Sequence, residues 1–174
     1  MADGDKTLTE GELFGSYQIV RALGSGAFGV VYEALRQPIG KRVALKVLRA
    51  QLTSRTDVMQ RFLREAQMTA QIRHPHVVET FDVGAQDGAP YLAMEFLEGE
   101  PLSKRIAREK KLPVEVALDV MIPVLSAMAT VHDHGVVHRD LKPDNIFLLR
   151  RRGTQVFPKV LDFGIAKAGL QDDG

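Results

Sequence analysis

His138-Arg139-Asp140-Leu141-Lys142-Pro143-Asp144-Asn145 is the stretch on which the reading of this chain turns, with Asp162-Phe163-Gly164 following it closely. An aspartate can orient and deprotonate a hydroxyl, and a lysine two residues later can neutralise a phosphate. An amide oxygen and a further carboxylate can hold magnesium, which takes hard oxygen ligands and keeps several waters. Phosphoryl transfer asks little more of a protein than that metal be held, phosphate charge neutralised and a nucleophile aimed.

Upstream of this stretch the chain reads as helical. Leu102 to Lys110 is a short helix, and Pro113 suits the first position of a long one running to about His134. Its apolar stripe is Ala117, Val120, Met121, Val124, Leu125, Met128 and Val131. Pro123 removes one backbone donor inside the helix, so a kink is expected there, and Gly135 is the expected stop. Downstream, Asn145 to Leu149 and Val156 to Leu161 read as short strands around the basic turn Arg150-Arg151-Arg152-Gly153.

The first part of the chain has a different rhythm. Tyr17 to Leu23, Val30 to Leu35 and Val43 to Leu48 alternate as strands with turn residues between them. Val58, Met59, Phe62, Leu63, Ala66 and Ala70 then recur at helical spacing, in a helix read from Thr56 to Arg73. His74-Pro75 ends it, because the residue before proline is pushed out of the helical region. Strands at Val77 to Val83 and Tyr91 to Phe96 follow, and Glu98-Gly99-Glu100-Pro101 reads as a connector. The fold class is therefore α+β: a small β-rich lobe with one helix, a connector, and the beginning of a helical lobe.

Two features of the β-rich part carry chemistry. Gly24-Ser25-Gly26-Ala27-Phe28-Gly29 lets the backbone approach phosphate oxygens without a Cβ in the way. A dinucleotide fingerprint would need a helix opening from the glycines and an acid about twenty residues on. Here the glycines lead into Val30-Val31-Tyr32, another strand, and no acid stands near Arg49. The Gly-Lys-Ser/Thr ending of a Walker loop is also absent, so a glycine-rich hairpin remains. The second feature is Lys46 in Val43-Ala44-Leu45-Lys46, an ammonium in an apolar strand that needs an anion. Phosphates or Glu65 could supply it, although a glutamate on a helix flank is ordinarily solvated.

Composition narrows the partners. The net charge of +1 over 174 residues is too balanced to point to nucleic acid or an anionic membrane. There is no cysteine, which excludes disulfides, thiolate nucleophiles and zinc–thiolate sites. Met1 to Glu12 lacks the apolar core of a signal peptide, no stretch reads as a membrane-spanning segment, and a cytoplasmic protein is expected.

The four segments in this order resemble the signature set of eukaryotic-type (Hanks-type) serine/threonine protein kinases, over roughly Tyr17 to Lys167. That resemblance implies the bilobal kinase fold: a tail over residues 1–15, an N-lobe and hinge over 16–97, and a partial C-lobe over 98–174. It implies ATP and Mg2+ as cofactors and protein serine or threonine side chains as acceptors. Gly24, Gly26 and Gly29 would cover the phosphates, with Phe28 at the loop tip. Leu23, Val31 and Ala44 would roof the adenine and Phe147 would lie beneath it. Lys46 would hold the α- and β-phosphates and pair with Glu65. Met94 resembles the gatekeeper, and the backbones of Glu95 and Leu97 the hinge that reads the adenine edge. Asp140 resembles the catalytic base, Lys142 the γ-phosphate contact, and Asn145 and Asp162 the magnesium ligands. Lysine two residues past the aspartate points to serine/threonine rather than tyrosine specificity, and Arg139 marks the subclass in which that arginine meets a phosphorylated activation loop. The wording around Glu65 and Phe96-Leu97-Glu98-Gly99 is more like bacterial relatives.

Other residues have plainer readings. His74 and His76 resemble the turn after the kinase regulatory helix, and His132 and His134 sit where imidazole can bond the last helical carbonyls. Met121 and Met128 read as core. The sequence stops soon after Asp162-Phe163-Gly164 with no Ala-Pro-Glu segment, so an incomplete kinase domain is expected, with the helix after Pro113 short of packing partners. A nucleotide-binding regulatory module or an inactive fragment is the alternative.

Overall fold

A computed structural model describes residues 7–26, 29–49, 56–150 and 156–162; within the helix at 56–70 it leaves out the side chains of 56–59, 61, 62 and 65. The chain divides into two units. One holds the residues up to Ala70 together with Thr80–Phe96, the other Gln71–Glu79 with the chain from Leu97 through Asp162.

The first unit is a six-stranded antiparallel sheet in the order β1-β2-β3-β4-β6-β5. Its strands are β1 (Leu13–Phe14), β2 (Tyr17–Gly26), β3 (Gly29–Arg36), β4 (Lys41–Leu48), β5 (Thr80–Gln86) and β6 (Ala89–Glu95). Helix α1 (Thr56–Ala70) packs against β5. Alternation along the strands sends Phe14, Tyr17, Ile19, Tyr32, Ala34, Val43, Leu45 and Ala93 into one buried cluster. Two register shifts in β2, between Ile19 and Arg21 and between Ala22 and Gly24, bend the strand where it runs out toward the glycine turn.

The described part of the expected tail belongs to this sheet. Leu8 packs against the cluster and its N–H donates to the Tyr32 hydroxyl. Gly11 N–H donates to the Ile19 carbonyl, and Ile19 N–H to that of Glu12. Burial of Phe14 explains why the chain is held here: its ring stands edge-on to Tyr91, with centroids 5.7 Å apart. Across the sheet, the Tyr17 and Tyr91 hydroxyls both donate to Asp82 Oδ2, at 2.7 and 3.1 Å. Burial, first, and the Asp82 carboxylate raise both phenol pKa values above their ordinary range, so both remain donors.

The second unit contains a three-stranded antiparallel sheet, β7 (Gly99–Pro101), β8 (Ile146–Leu149) and β9 (Phe157–Val160), with helices α2 (Leu102–Glu109) and α3 (Val114–Asp133). The connector at Glu98–Pro101 is thus partly a strand. Helix α1 ends at Ala70 rather than Arg73, and the strand expected over Val77 to Val83 begins only at Thr80. Both differences have one cause. Ile72, Val77 and Val78 are buried, Val77 bridges Val160, and Val78 N–H donates to the Val160 carbonyl, so Gln71–Glu79 belongs with the second unit.

In α3 the expected elements hold with two corrections. Pro113 is the residue before the helix, not its first residue: its ψ of 148° is extended, and its carbonyl takes the first helical bond, from Ala117. The helix continues through Pro123, whose missing donor would have met the exposed Asp119 carbonyl. At its end Gly135 has φ 71°, its N–H bonds the His132 carbonyl and Val136 N–H that of Val131, the paired bonds of a glycine-stopped helix. His134 Nδ1–H donates to the Thr130 carbonyl, as its position suggested.

The second correction concerns the stripe. Val120, Val124, Ala127, Met128 and Val131 are buried, but Met121 and Leu125 are exposed, with Val114, Leu118 and Ile122 beside them. The packed stripe is narrower than the apolar one, which leaves the open apolar face that the sequence led one to expect. Helix α3 is also long and apolar enough to cross a membrane by length and composition, contrary to the sequence reading. A core helix meets the same two criteria, and one side of α3 is core.

Candidate active site

The loop His138–Asn145 is built from its ends inward. His138 is buried, its Nε2–H donates to the Leu161 carbonyl at 2.9 Å, and its Nδ1 accepts the Asp140 N–H at 3.3 Å. Both ring nitrogens are used only by the neutral Nε2–H tautomer. Burial lowers the His138 pKa below the ordinary 6.5, outweighing the Leu161 carbonyl and the nearby aspartates that pull the other way. Arg139 then takes a left-handed backbone, φ 58°, which turns the chain at Asp140.

Pro143 opens a single 3-10 turn, Pro143–Asn145, closed by the Asn145 N–H on the Lys142 carbonyl. That turn aims the Asn145 amide back at Asp140. Asn145 Nδ2 donates to the Asp140 carbonyl at 2.8 Å and to Asp140 Oδ2 at 3.1 Å. Lys142 Nζ stands 3.2 Å from the same Oδ2. With both amide hydrogens spent on Asp140, Asn145 presents Oδ1 as a hard oxygen donor. Asn145 also receives the Leu161 N–H on its backbone carbonyl, at 2.8 Å. Leu161 is therefore bonded on one side to Asn145 and on the other to His138, immediately before Asp162, whose φ is 38°. Positive φ at a non-glycine residue is strain, and strain persists where surrounding bonds over-determine it.

Asp140, Lys142 and Asn145 are thus gathered by direct bonds, and Asp162 is carried on the strand-end peptide they hold. Phe163 and Gly164 lie outside the described residues. His138, to which the sequence reading gave no role, ties the two motifs together along with the Asn145 carbonyl. Its spacing gives no signal of this, because the bond partner is the main chain of Leu161.

A pH test follows. A folded pKa below the unfolded one means that the unfolded chain binds more protons between the two values, so stability rises with pH there. The His138 contribution is complete above about pH 6.5 and is lost as pH falls through the lowered folded value. His74 acts in the same sense, lowered mainly by burial and then by His76 and Lys159. Chemical denaturation between pH 5 and 7.5 is expected to show stability falling toward acid. His138→Gln should flatten part of that slope and His74→Gln another part; an unchanged slope in both would refute the assignment.

In the first unit the cross-strand register gathers a second set. Val31 stands opposite Lys46 and Lys46 opposite Leu92; Glu33 stands opposite Ala44 and Ala44 opposite Met94. Residues directly opposite share a face. Val31, Ala44, Lys46, Met94 and the unforeseen Leu92 therefore lie together, on the face away from the buried cluster. Gly26 pairs with Gly29, so the glycine segment is a strand–turn–strand hairpin, as read; its tip, with Phe28, lies outside the described residues. The glycines differ in their reasons. A Cβ at Gly24 or Gly26 would meet nothing within 4 Å, leaving open space of the kind phosphates could use, whereas one at Gly29 would run into the Val47 carbonyl oxygen. Leu23 is exposed in β2, and Phe147 in β8 points away from the buried Ile146 and Leu148. The Glu65 side chain lies outside the described residues, and its pairing with Lys46 remains an expectation.

The protein kinase domain family matches residues 17–173, nearly the whole chain. The chain belongs to the protein kinase family. This kinase chain is 48% identical over 153 residues to the serine/threonine-protein kinase Pkn1 of Myxococcus xanthus, a match covering 88% of the chain and 22% of that relative. It is 39% identical to the serine/threonine-protein kinase PrkC of Bacillus subtilis, covering 88% of the chain and 23% of the relative. The crystal structure of the Mycobacterium tuberculosis PknI kinase domain superposes with a TM-score of 0.82 at 33% identity, over 92% of this chain and 64% of that one. The bacterial character read from the sequence is borne out, as is the protein-kinase fold. The kinase chain spans less than a quarter of the length of these two curated relatives.

Proposed function

We propose that this chain supplies the nucleotide-handling residues and catalytic loop of a serine/threonine protein kinase, which transfers the γ-phosphoryl group of ATP to serine or threonine hydroxyls of a protein. The observation that supports it best is the bonded cluster of Asp140, Lys142 and Asn145 with the Leu161 peptide. Asp140, held by the Asn145 amide, orients the acceptor hydroxyl and takes its proton. Lys142, within ion-pair distance of Asp140, moves its charge to the γ-phosphate. Lys46 engages the α- and β-phosphates and Glu65 holds Lys46 in place. Leu23, Gly24, Gly26, Phe28, Gly29, Val31 and Ala44 cover the nucleotide, Phe147 supports the adenine, Met94 limits the pocket, and the backbones of Glu95 and Leu97 read the adenine edge. Asn145 Oδ1 and the Asp162 carboxylate suit Mg2+, which neutralises phosphate charge when bound and takes its other ligands from phosphate and water. The reading assigns the cytoplasm, where ATP is supplied, and a protein acceptor rather than nucleic acid.

The test is thermal unfolding with and without magnesium and ATP, together with phosphoamino-acid analysis of the full-length protein. ATP at about a hundred times its dissociation constant adds roughly 2.7 kcal/mol, or about 5–10 °C for a chain of this size. Lys46→Ala should lose most of that shift. Absence of both the shift and phosphoserine or phosphothreonine would overturn the proposal; the shift without phosphotransfer would favour a nucleotide-binding module.

A further inference from the structure

A charged network on the nucleotide-side face of the first unit has no part in phosphate chemistry. Glu33 is buried in mid-strand, where an unpaired carboxylate would be costly. Its Oε1 accepts from Arg42 Nε at 3.0 Å and Nη2 at 2.9 Å, and its Oε2 from Arg21 Nη2 at 2.8 Å. So gripped, the Arg42 guanidinium lies over the Phe96 ring, 4.2 Å from its centroid. Val43 is paired with Glu95, which sets Arg42 across from Phe96. Glu33 stands opposite Ala44, and Ala44 opposite Met94, so the network continues the same cross-strand row as two proposed nucleotide contacts.

Phe96 is the first residue past the end of β6, where ladder hydrogen bonds no longer fix the backbone. Arg42 anchors the side chain at this point, two residues before the Glu98 carbonyl accepts the Arg150 N–H. We infer that Arg42, oriented by Glu33, is a positioning residue that holds Phe96 and thereby sets the backbone that reads the adenine edge. The inference rests on the proposed nucleotide function. It predicts a loss confined to adenine recognition, since the phosphate-handling residues are elsewhere. A planar guanidinium can stack on a ring while its edge bonds a carboxylate; a lysine ammonium keeps the charge but not the flat face.

The test uses the full-length protein, with adenosine and magnesium–ATP as probes in calorimetry and steady-state kinetics. Arg42→Met should weaken adenosine and ATP by the same factor, about three- to tenfold, and raise KM for ATP with kcat within about twofold. Arg42→Lys should weaken both probes similarly, because it retains the charge facing Glu33 but not the stacking. Phe96→Leu should match it, and the double variant should lose no more than either single one. Adenosine bound normally by Arg42→Lys would overturn the inference, because charge alone would then suffice. If Arg42→Met does not fold, Arg42→Lys and Phe96→Leu carry the test. An unsubstituted protein that binds neither probe would overturn the nucleotide reading itself, and the inference with it, before any variant is made.

Discussion

Asp140→Asn is expected to lower phosphotransfer to a protein acceptor by about a hundredfold to ten-thousandfold, the range that loss of a general base produces. Nucleotide affinity should change little. The substitution is nearly isosteric, and the bonds around the loop allow it. An asparagine Oδ1 can still accept the Asn145 Nδ2–H that Asp140 Oδ2 takes at 3.1 Å, and the second Asn145 bond goes to the residue 140 carbonyl, which is unchanged. His138 still accepts the residue 140 N–H. What disappears is the negative charge and its basicity. Lys142 loses an ion partner, but its side chain is about half exposed, so the cost to stability is small. The expected signature is therefore a collapsed kcat in the full-length protein beside an unaltered melting temperature and an unaltered ATP-dependent shift. Phosphotransfer at the unsubstituted rate would remove Asp140 from the proposed base role.

That prediction could be framed from sequence because the residues involved are close in the chain. Asp140, Lys142 and Asn145 are gathered by one loop and one 3-10 turn, so their spacing already encodes their meeting. Lys46 and the glycine hairpin were legible for a similar reason, since strand alternation and turn residues place them locally. The bonds that organise these parts were not legible, because they depend on register between distant segments. His138 acts through the Leu161 carbonyl, Glu33 is buried by arginines on the strands either side of it, and Phe96 is held from β4. A glutamate in a strand gives the same letter whether solvated or gripped by two guanidinium groups. The pull of Val160 on Val77 and Val78, which shortens both α1 and the following strand, is likewise a long-range pairing with no local mark.

Helix α3 shows this limit most sharply, and it yields the largest stability effect expected. Periodicity places Val124 and Leu125 together in one apolar stripe, but Val124 is 0% exposed and Leu125 is 61% exposed. Val124→Asp puts a carboxylate among Val120, Ala127, Met128 and Val131 without a cationic partner in the substitution. Burying an unpaired ion costs several kcal/mol even after relaxation, against a total stability on the order of 5–15 kcal/mol. The variant should be largely unfolded or molten at neutral pH, and it should recover partly in acid, where the carboxyl protonates and the burial cost falls. Leu125→Asp, one residue on, should cost no more than about 0.5–1 kcal/mol, mostly through helix propensity. It also interrupts the open face formed by Leu118, Met121, Ile122 and Leu125, so concentration-dependent light scattering should fall rather than rise. Urea titrations of the two variants in the 174-residue chain, read by far-ultraviolet circular dichroism, decide the matter. Equal losses would mean that Leu125 is packed like Val124, and the assignment of the buried side of α3 would be wrong.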